Sequence, residues 1–368
     1  MKRTLTFLLS AICFCSCAKQ SDITLRQQVA QMVMVGFQGT DINNCGEIAQ
    51  VITNEHIGGI ILFEYSAPTK SRPRNIVSVE QTRTLVAELQ KLSQIPLFVA
   101  IDEEGGMVSR LKSRYGFLPT VTPQYLGQTN NEDTTRFYAR RIAEACRSVG
   151  VNVNFAPSVD VNVNPNCPII GKLGRSFSSD VETVIKHARW FASEHQKANV
   201  GCAIKHFPGH GSSLADSHLG LTDVTQTWTR AELKPFETLL AEPNGPMLMT
   251  SHIFNAKLDS VYPATLSKPT LSIVRDSIGY NGVIFSDDMM MNAISKCYGL
   301  EEAVFRAIEA GVDVLIFSNN IDEYNPNIAH QVIELIMKMV ADGRISKERI
   351  AQSVERIMLM KHVICSSN

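Results

Sequence analysis

Gly201-Cys202-Ala203-Ile204-Lys205-His206-Phe207-Pro208-Gly209-His210-Gly211 begins as an apolar run and ends in charge, proline and glycine. The run Gly201–Ile204 is short and shows no polar alternation, which predicts a strand covered on both faces. Lys205 and His206 are expected to leave that strand and enter a loop. The glycines there supply backbone conformations that other residues avoid. Working outward, seven more runs of this kind appear: Met32–Gly36, Gly59–Phe63, Leu97–Ile101, Val151–Ala156, Met247–Thr250, Gly282–Phe285 and Val312–Phe317.

Amphipathic segments separate the runs. In Ser78–Leu92, the residues Leu85, Val86, Leu89 and Leu92 recur at helical spacing. Similar segments are Thr134–Ser148, Val181–Lys197, Arg230–Leu240, Leu271–Ile278, Leu300–Ala310, Ile328–Met339 and Ile345–Val363. Asp180 and Thr229 stand where N-caps belong. This alternation predicts an α/β fold, a (β/α)8 TIM-type barrel in a single domain over residues 22–368. A doubly wound open sheet gives the same alternation. The polar residues cluster at the C-terminal ends of the runs: Asp102-Glu103-Glu104, Asp160, Lys205-His206, Ser251-His252, Ser286-Asp287-Asp288 and Ser318-Asn319-Asn320. A barrel enzyme loads that one rim, because its βα loops converge there.

The 368 residues are 44% hydrophobic with a formal net charge of −1. That supports a sizeable core and argues against a nucleic-acid partner, which would need a basic patch. Lys2 and Arg3 precede an apolar stretch, Leu5 to Phe14, too short to span a bilayer as a helix. It ends in Phe14-Cys15-Ser16-Cys17, which resembles a bacterial lipoprotein signal. Residues 1–17 are therefore expected to be a signal segment with Cys17 as the site of lipid attachment. Two acyl chains would hold the protein on a membrane of the cell envelope, facing the periplasm or the cell surface. The remaining cysteines, Cys45, Cys146, Cys167, Cys202, Cys297 and Cys365, show no CxxC spacing, so neither a zinc site nor a bridge is assigned.

Two stretches carry chemistry. His206, His210 and His218 lie close together beside Lys205, and Asp216-Ser217-His218 puts a carboxylate two residues from an imidazole. Such an Asp can fix the imidazole tautomer and leave the other nitrogen for proton transfer. The same cluster could supply ligands to a metal. Lys205 would then set a cation beside it, and there is no helical His-Glu-x-x-His pair, so no metal and no cofactor is expected. In Gly282–Asp288, alternation along a strand predicts that Asp287 shares the face of Val283 and Phe285 while Asp288 faces away. A carboxylate at a barrel mouth can attack an anomeric carbon. Asp288 fits the N-cap of a following helix.

These residues resemble the signature of glycoside hydrolase family 3, in its bacterial β-N-acetylhexosaminidase branch. Lys205–Gly211 followed by Asp216-Ser217-His218 carries the resemblance. Ile101–Gly106 with Val108 and Arg110, Phe155–Asp160, Gly174–Ser178 and Ser286–Met289 with Met291 agree in the same order. The resemblance implies Asp287 as nucleophile, and His218 as general acid/base paired with Asp216. It implies Asp102, Arg110, Arg175, Lys205 and His206 as grips on the sugar hydroxyls. The implied partner is an N-acetylglucosamine-containing glycan or muropeptide, and the Gly209–Leu219 loop is expected to move. The chain departs from the pattern at Ser212-Ser213, where Asp-Thr is usual, at Glu103, where Gln is common, and in a longer block, residues 164–173. A phosphorylase, a broad β-glucosidase of the same family and an inactive glycan-binding lipoprotein stay open. Nothing in the sequence sets an oligomeric state.

Overall fold

A computed structural model describes residues 23–216 and 220–365. The eight apolar runs become the eight strands of one closed parallel barrel. In chain order they are β1 (Val33–Gly36), β2 (Gly59–Ile61), β3 (Phe98–Ile101), β4 (Val153–Asn154) and β5 (Gly201–Phe207), then β7 (Met247–Thr250), β9 (Ile284–Asp288) and β10 (Val314–Phe317). β6 (Thr222–Asp223) and β8 (Ile253–Phe254) form a small parallel ribbon outside it, which the sequence did not signal. β1 pairs with both β2 and β10 and closes the sheet, which excludes the open doubly wound alternative.

Strand residues are almost entirely buried because helices cover the outside and side chains fill the inside. Phe98, Phe155 and Phe285 fill the interior, with ring centroids 5.8 Å apart for Phe98–Phe285 and 5.2 Å for Phe155–Phe285. Both pairs meet edge to face, the arrangement that the ring quadrupoles favour. At the base, Lys361 donates to Gln31 Oε1 at 2.6 Å and to the Gly58 carbonyl at 2.8 Å, with its ammonium over the Phe98 ring. The final helix, Lys347–Cys365, is thereby fixed to the first, Leu25–Gln31.

The helices follow the predicted segments with small changes. Val79–Leu92 is capped by Ser78 and Val181–Lys197 by Asp180, each cap accepting from the residue three ahead. Arg230–Leu240 divides into a 3₁₀ turn, Arg230–Leu233, and an α-helix, Lys234–Leu240. The helices Leu25–Gln31, Gly46–Glu55 and Pro123–Thr129 were not anticipated. Among the described residues no helix is long and apolar enough to cross a membrane. The signal segment and Cys17 lie outside the described residues.

Two differences from the predicted strands matter for chemistry. β5 continues through Lys205 and His206 to Phe207, so these residues belong to the strand and not to a loop. β9 continues through Asp287 to Asp288. Both strands carry one residue more than their neighbour at the rim. Ile204 and Phe207 of β5 oppose Leu248 and Thr250 of β7, while Phe285 and Asp288 of β9 oppose Val314 and Ile316 of β10. An extra residue of this kind re-aims the side chains beside it.

At the closing seam, a Cβ on Gly36 would stand 1.9 Å from the Ser318 carbonyl oxygen. Gly36→Ala must push β1 away from the chain leaving β10. It is expected to destabilise the protein by about 1–3 kcal/mol or more, read as a lower midpoint in urea denaturation.

Candidate active site

A cavity of about 510 Å³ opens at the C-terminal mouth of the barrel. Asp102, Arg110, Arg175, Lys205, His206, Asp216 and Asp287 all line it. His218 lies outside the described residues, with Ser217 and Leu219. Every candidate that the structure describes therefore converges on one place.

The cations and carboxylates form a continuous chain. Lys205 Nζ donates to Asp102 Oδ1 at 2.7 Å and stands 2.7 Å from Glu104 Oε1. Arg175 grips Glu104 with two nitrogens, at 2.9 and 2.7 Å, a planar two-point match that only a guanidinium offers. The same Arg175 also donates to His206 Nε2 at 3.1 Å. A guanidinium has only donors, so Nε2 accepts and the ring hydrogen sits on Nδ1. Nδ1 faces Asp160 Oδ2 at 2.6 Å. His206 thus has both nitrogens committed to the protein and acts on the cavity by fixing Arg175.

Burial pushes the Asp102 carboxyl up, but Lys205 and Arg110 outweigh it and hold it below its ordinary range. Glu104 and Asp160 follow the same pattern. Burial opposes their charge, and Arg175 with Lys205 in one case, His206 in the other, hold them well below the usual carboxylate range. Arg110 approaches Asp102 at 3.5 Å, and its Nε is buried with no hydrogen-bond partner among the described residues. Such a donor suits a ligand hydroxyl.

Asp287 and Asp288 both line the cavity, which corrects the expectation that only one would. The extra residue in β9 is the physical reason. Their surroundings then separate them. Asp288 accepts from Ser318 N at 2.9 Å, from the Ser318 hydroxyl and from Met290 N at 3.1 Å, so it ties β9 to β10. It caps no helix, since the next one, Asn292–Ser295, has Met291 at its N-cap position. Burial pushes its carboxyl up to about 6. Asp287 Oδ1 accepts from the Asp288 N–H at 2.8 Å, and its own N–H donates to Thr250 Oγ1 at 3.2 Å. Two adjacent carboxylates in different environments are apt for different roles.

Asp216 reaches the cavity from the loop after β5, and the root of that loop is held on two sides. His210 N donates to Asp160 Oδ1 at 2.7 Å, so Asp160 ties the strand end to the loop start. Ser212 N donates to Glu232 Oε2 at 3.1 Å, and Trp228 Nε1 to the Pro208 carbonyl at 3.0 Å. Burial pushes the His210 imidazole down to about 4, a value that suits a neutral structural ring. His187 and His195 sit within the helix Val181–Lys197 on Thr135 and Asn154, as expected of structural histidines. Among the described residues, no group of three or more His, Cys, Asp or Glu is arranged to hold a metal ion.

Sequence reasoning gave no role to Glu104, Asp160 or Glu64. Glu104 and Asp160 stood in the polar rim, and that placement was their only signal. Glu64, which also lines the cavity, gathers Arg72, Lys112 and Tyr115 around one carboxylate. Arg72 reaches it from the same segment after β2, and Lys112 and Tyr115 from the segment around the turn Ser113–Tyr115, so no motif marks it. Glu103 points away from the cavity and accepts from the N–H groups of Arg110 and Leu111.

A barrel mouth lined by cations and carboxylates is a pocket built for a polar, hydroxyl-rich ligand. The chain belongs to glycosyl hydrolase family 3, matching the N-terminal domain of that family over residues 24–360. It is 32% identical to beta-hexosaminidase LpqI of Mycobacterium tuberculosis, over 94% of this chain and 86% of that one. It is also 32% identical to beta-hexosaminidase A of Pseudoalteromonas piscicida, over 94% of this chain and 62% of that protein. Among solved structures, a family 3 β-N-acetylglucosaminidase from Paenibacillus superposes with a TM-score of 0.85 at 35% identity, over 94% of this chain and 64% of that one. The chain thus spans less than two thirds of the Pseudoalteromonas and Paenibacillus proteins.

Two expectations follow from the site's charges. Glu104→Ala would leave Arg175 and Lys205 buried without their shared partner, and is expected to cost about 3–5 kcal/mol in chemical denaturation. Burial pushes the Glu232 carboxyl from its ordinary 4.5 up to about 7. Between those two values the folded state holds a proton that the unfolded chain has released, so stability falls as pH rises through that window. Glu232→Gln should flatten the slope between pH 4.5 and about 7, whatever its effect on absolute stability.

Proposed function

We propose that this protein is a retaining β-N-acetylhexosaminidase that removes terminal β-linked N-acetylglucosamine. The observation that carries the reading is one shared cavity: Asp287 enters it from the end of β9, and Asp216 enters it from the loop after β5. The naming of its relatives as beta-hexosaminidases and as a β-N-acetylglucosaminidase supports the choice of sugar.

Asp287 is the nucleophile. It attacks the anomeric carbon and forms a glycosyl-enzyme, while His218, held by Asp216, protonates the departing oxygen. His218 then takes a proton from water, which displaces Asp287 and releases the sugar with its configuration retained. Asp102, Arg110, Lys205 and Arg175 hold the sugar hydroxyls. Asp102 is already paired with Lys205 and Arg110, and Arg175 is joined to Lys205 through Glu104, so little reorganisation is needed as charge develops. The bonds that Asp288 accepts from Ser318 and Met290 support Asp287 over its neighbour in that role.

The natural substrate in this reading is a peptidoglycan fragment. The N-terminal signal segment and Cys17 support an exported protein anchored by lipid in the cell envelope, where such fragments arise.

Asp287→Ala is expected to abolish nearly all turnover of p-nitrophenyl N-acetylglucosaminide. His218→Ala should slow substrates with poor leaving groups by roughly 100-fold or more, and activated aryl glycosides far less. Equal losses on both would remove the acid/base role. The N-acetylglucosaminide should turn over well ahead of the matching glucoside, and equal rates would refute the hexosamine assignment. A sugar 1-phosphate formed in phosphate buffer would make the enzyme a phosphorylase.

A further inference from the structure

Two departures from the family pattern, the long block 164–173 and Ser212-Ser213, meet in space. Asn164 N donates to the Gly211 carbonyl at 3.1 Å, and Asn164 Nδ2 to the Ser213 carbonyl at 2.9 Å. Cys167 Sγ lies 3.3 Å from Ser213 Oγ and 3.6 Å from the His210 carbonyl. Ser213 Oγ in turn donates to the Ala215 carbonyl at 3.0 Å. Ala215 is the residue before Asp216. Ser213 spends its only hydrogen on Ala215, so the Cys167 thiol is the donor toward Ser213 Oγ or the His210 carbonyl. A Cβ on Gly211 would stand 1.7 Å from the Val161 carbonyl oxygen, so the loop lies flush against the chain that leads into this block.

The other end of the block holds Arg175. The Ile170 carbonyl accepts from Arg175 N at 3.1 Å, and the Ile169 carbonyl from its guanidinium at 2.9 Å. Cys167, Ile169 and Ile170 are buried together in a cluster of their own, apart from the main core. One compact block therefore touches the root of the dyad loop with one end and a sugar-gripping arginine with the other. The threonine usual at 213 would add a methyl group to this buried contact, whereas serine leaves room for the thiol.

We propose that Cys167 and Ser213 are positioning residues: their contact sets the approach of Asp216 to the cavity, and with it the proton transfer that Asp216 supports. Neither lines the cavity, so neither touches substrate. The inference rests on the reading of Asp216 as the partner of the acid/base. A proton donor displaced by a fraction of an ångström loses rate mainly where the leaving group needs its proton.

The test compares Cys167→Ala, Cys167→Ser and Ser213→Ala on an unactivated N-acetylglucosamine disaccharide and on its p-nitrophenyl glycoside. Cys167→Ala and Ser213→Ala should lower kcat on the disaccharide roughly tenfold, with KM and the aryl glycoside within about twofold of the wild type. Cys167→Ser, which keeps a donor, should recover most of the loss. Added to Asp216→Ala, Cys167→Ala should change the disaccharide rate no further. Should Cys167→Ala fail to fold, Ser213→Ala carries the same comparison from the opposite side of the contact. Equal fractional losses on both substrates, or none on either, would overturn the inference. If Asp216→Ala itself shows no dependence on the leaving group, the reading of Asp216 falls and the inference with it. If it shows that dependence while the Cys167 and Ser213 variants do not, only the inference falls.

Discussion

The Glu104 carboxylate, clamped by Arg175 and Lys205, is the interaction on which the site depends. All three groups are nearly excluded from solvent, where an unpaired charge is costly. Their mutual compensation permits a charged pocket at the barrel mouth. The pairing extends to Asp102 on one side and through His206 to Asp160 on the other, so it crosses β3, the block before Arg175 and β5. Asp160 then fixes the backbone of His210, where the loop to Asp216 begins. The charged groups of the cavity and the start of the loop after β5 thus share one hydrogen-bonded frame.

Strand register supplies the other constraint. A regular strand shows alternate residues to one face. β5 and β9 each gain one residue against a neighbour, and the adjacent pairs Lys205-His206 and Asp287-Asp288 all line the cavity. The barrel thereby sets more chemistry at its rim than simple alternation allows. The aromatic plug of Phe98, Phe155 and Phe285 lies within the barrel beneath, and Phe155 also lines the cavity as part of its apolar wall.

Much of the fold was legible because its signal is local. The strands begin as short, largely apolar runs covered on both faces, and helices such as Val181–Lys197 announce themselves by periodicity and cap. The short helices Leu25–Gln31 and Pro123–Thr129 were missed, since fewer than two full turns leave little periodicity to read. The β6–β8 ribbon was missed because two-residue strands have no pattern at all. That Asp287 and Asp216 lie at the barrel mouth was legible through motif and resemblance. Glu64 was not, because Lys112 and Tyr115 reach it from 48 and 51 residues further along the chain.

By itself the sequence determined the alternation of elements, the barrel it implies and the rim on which the polar residues fall, since burial and period are written in neighbouring residues. Only the tertiary structure decided which of those polar residues share a bond: that His206 serves Arg175, that Asp288 belongs to Ser318, and that Cys167 meets Ser213. Such partnerships join residues far apart in the chain. Closure of the barrel and the register at its rim bring them together, and neither property resides in any one segment.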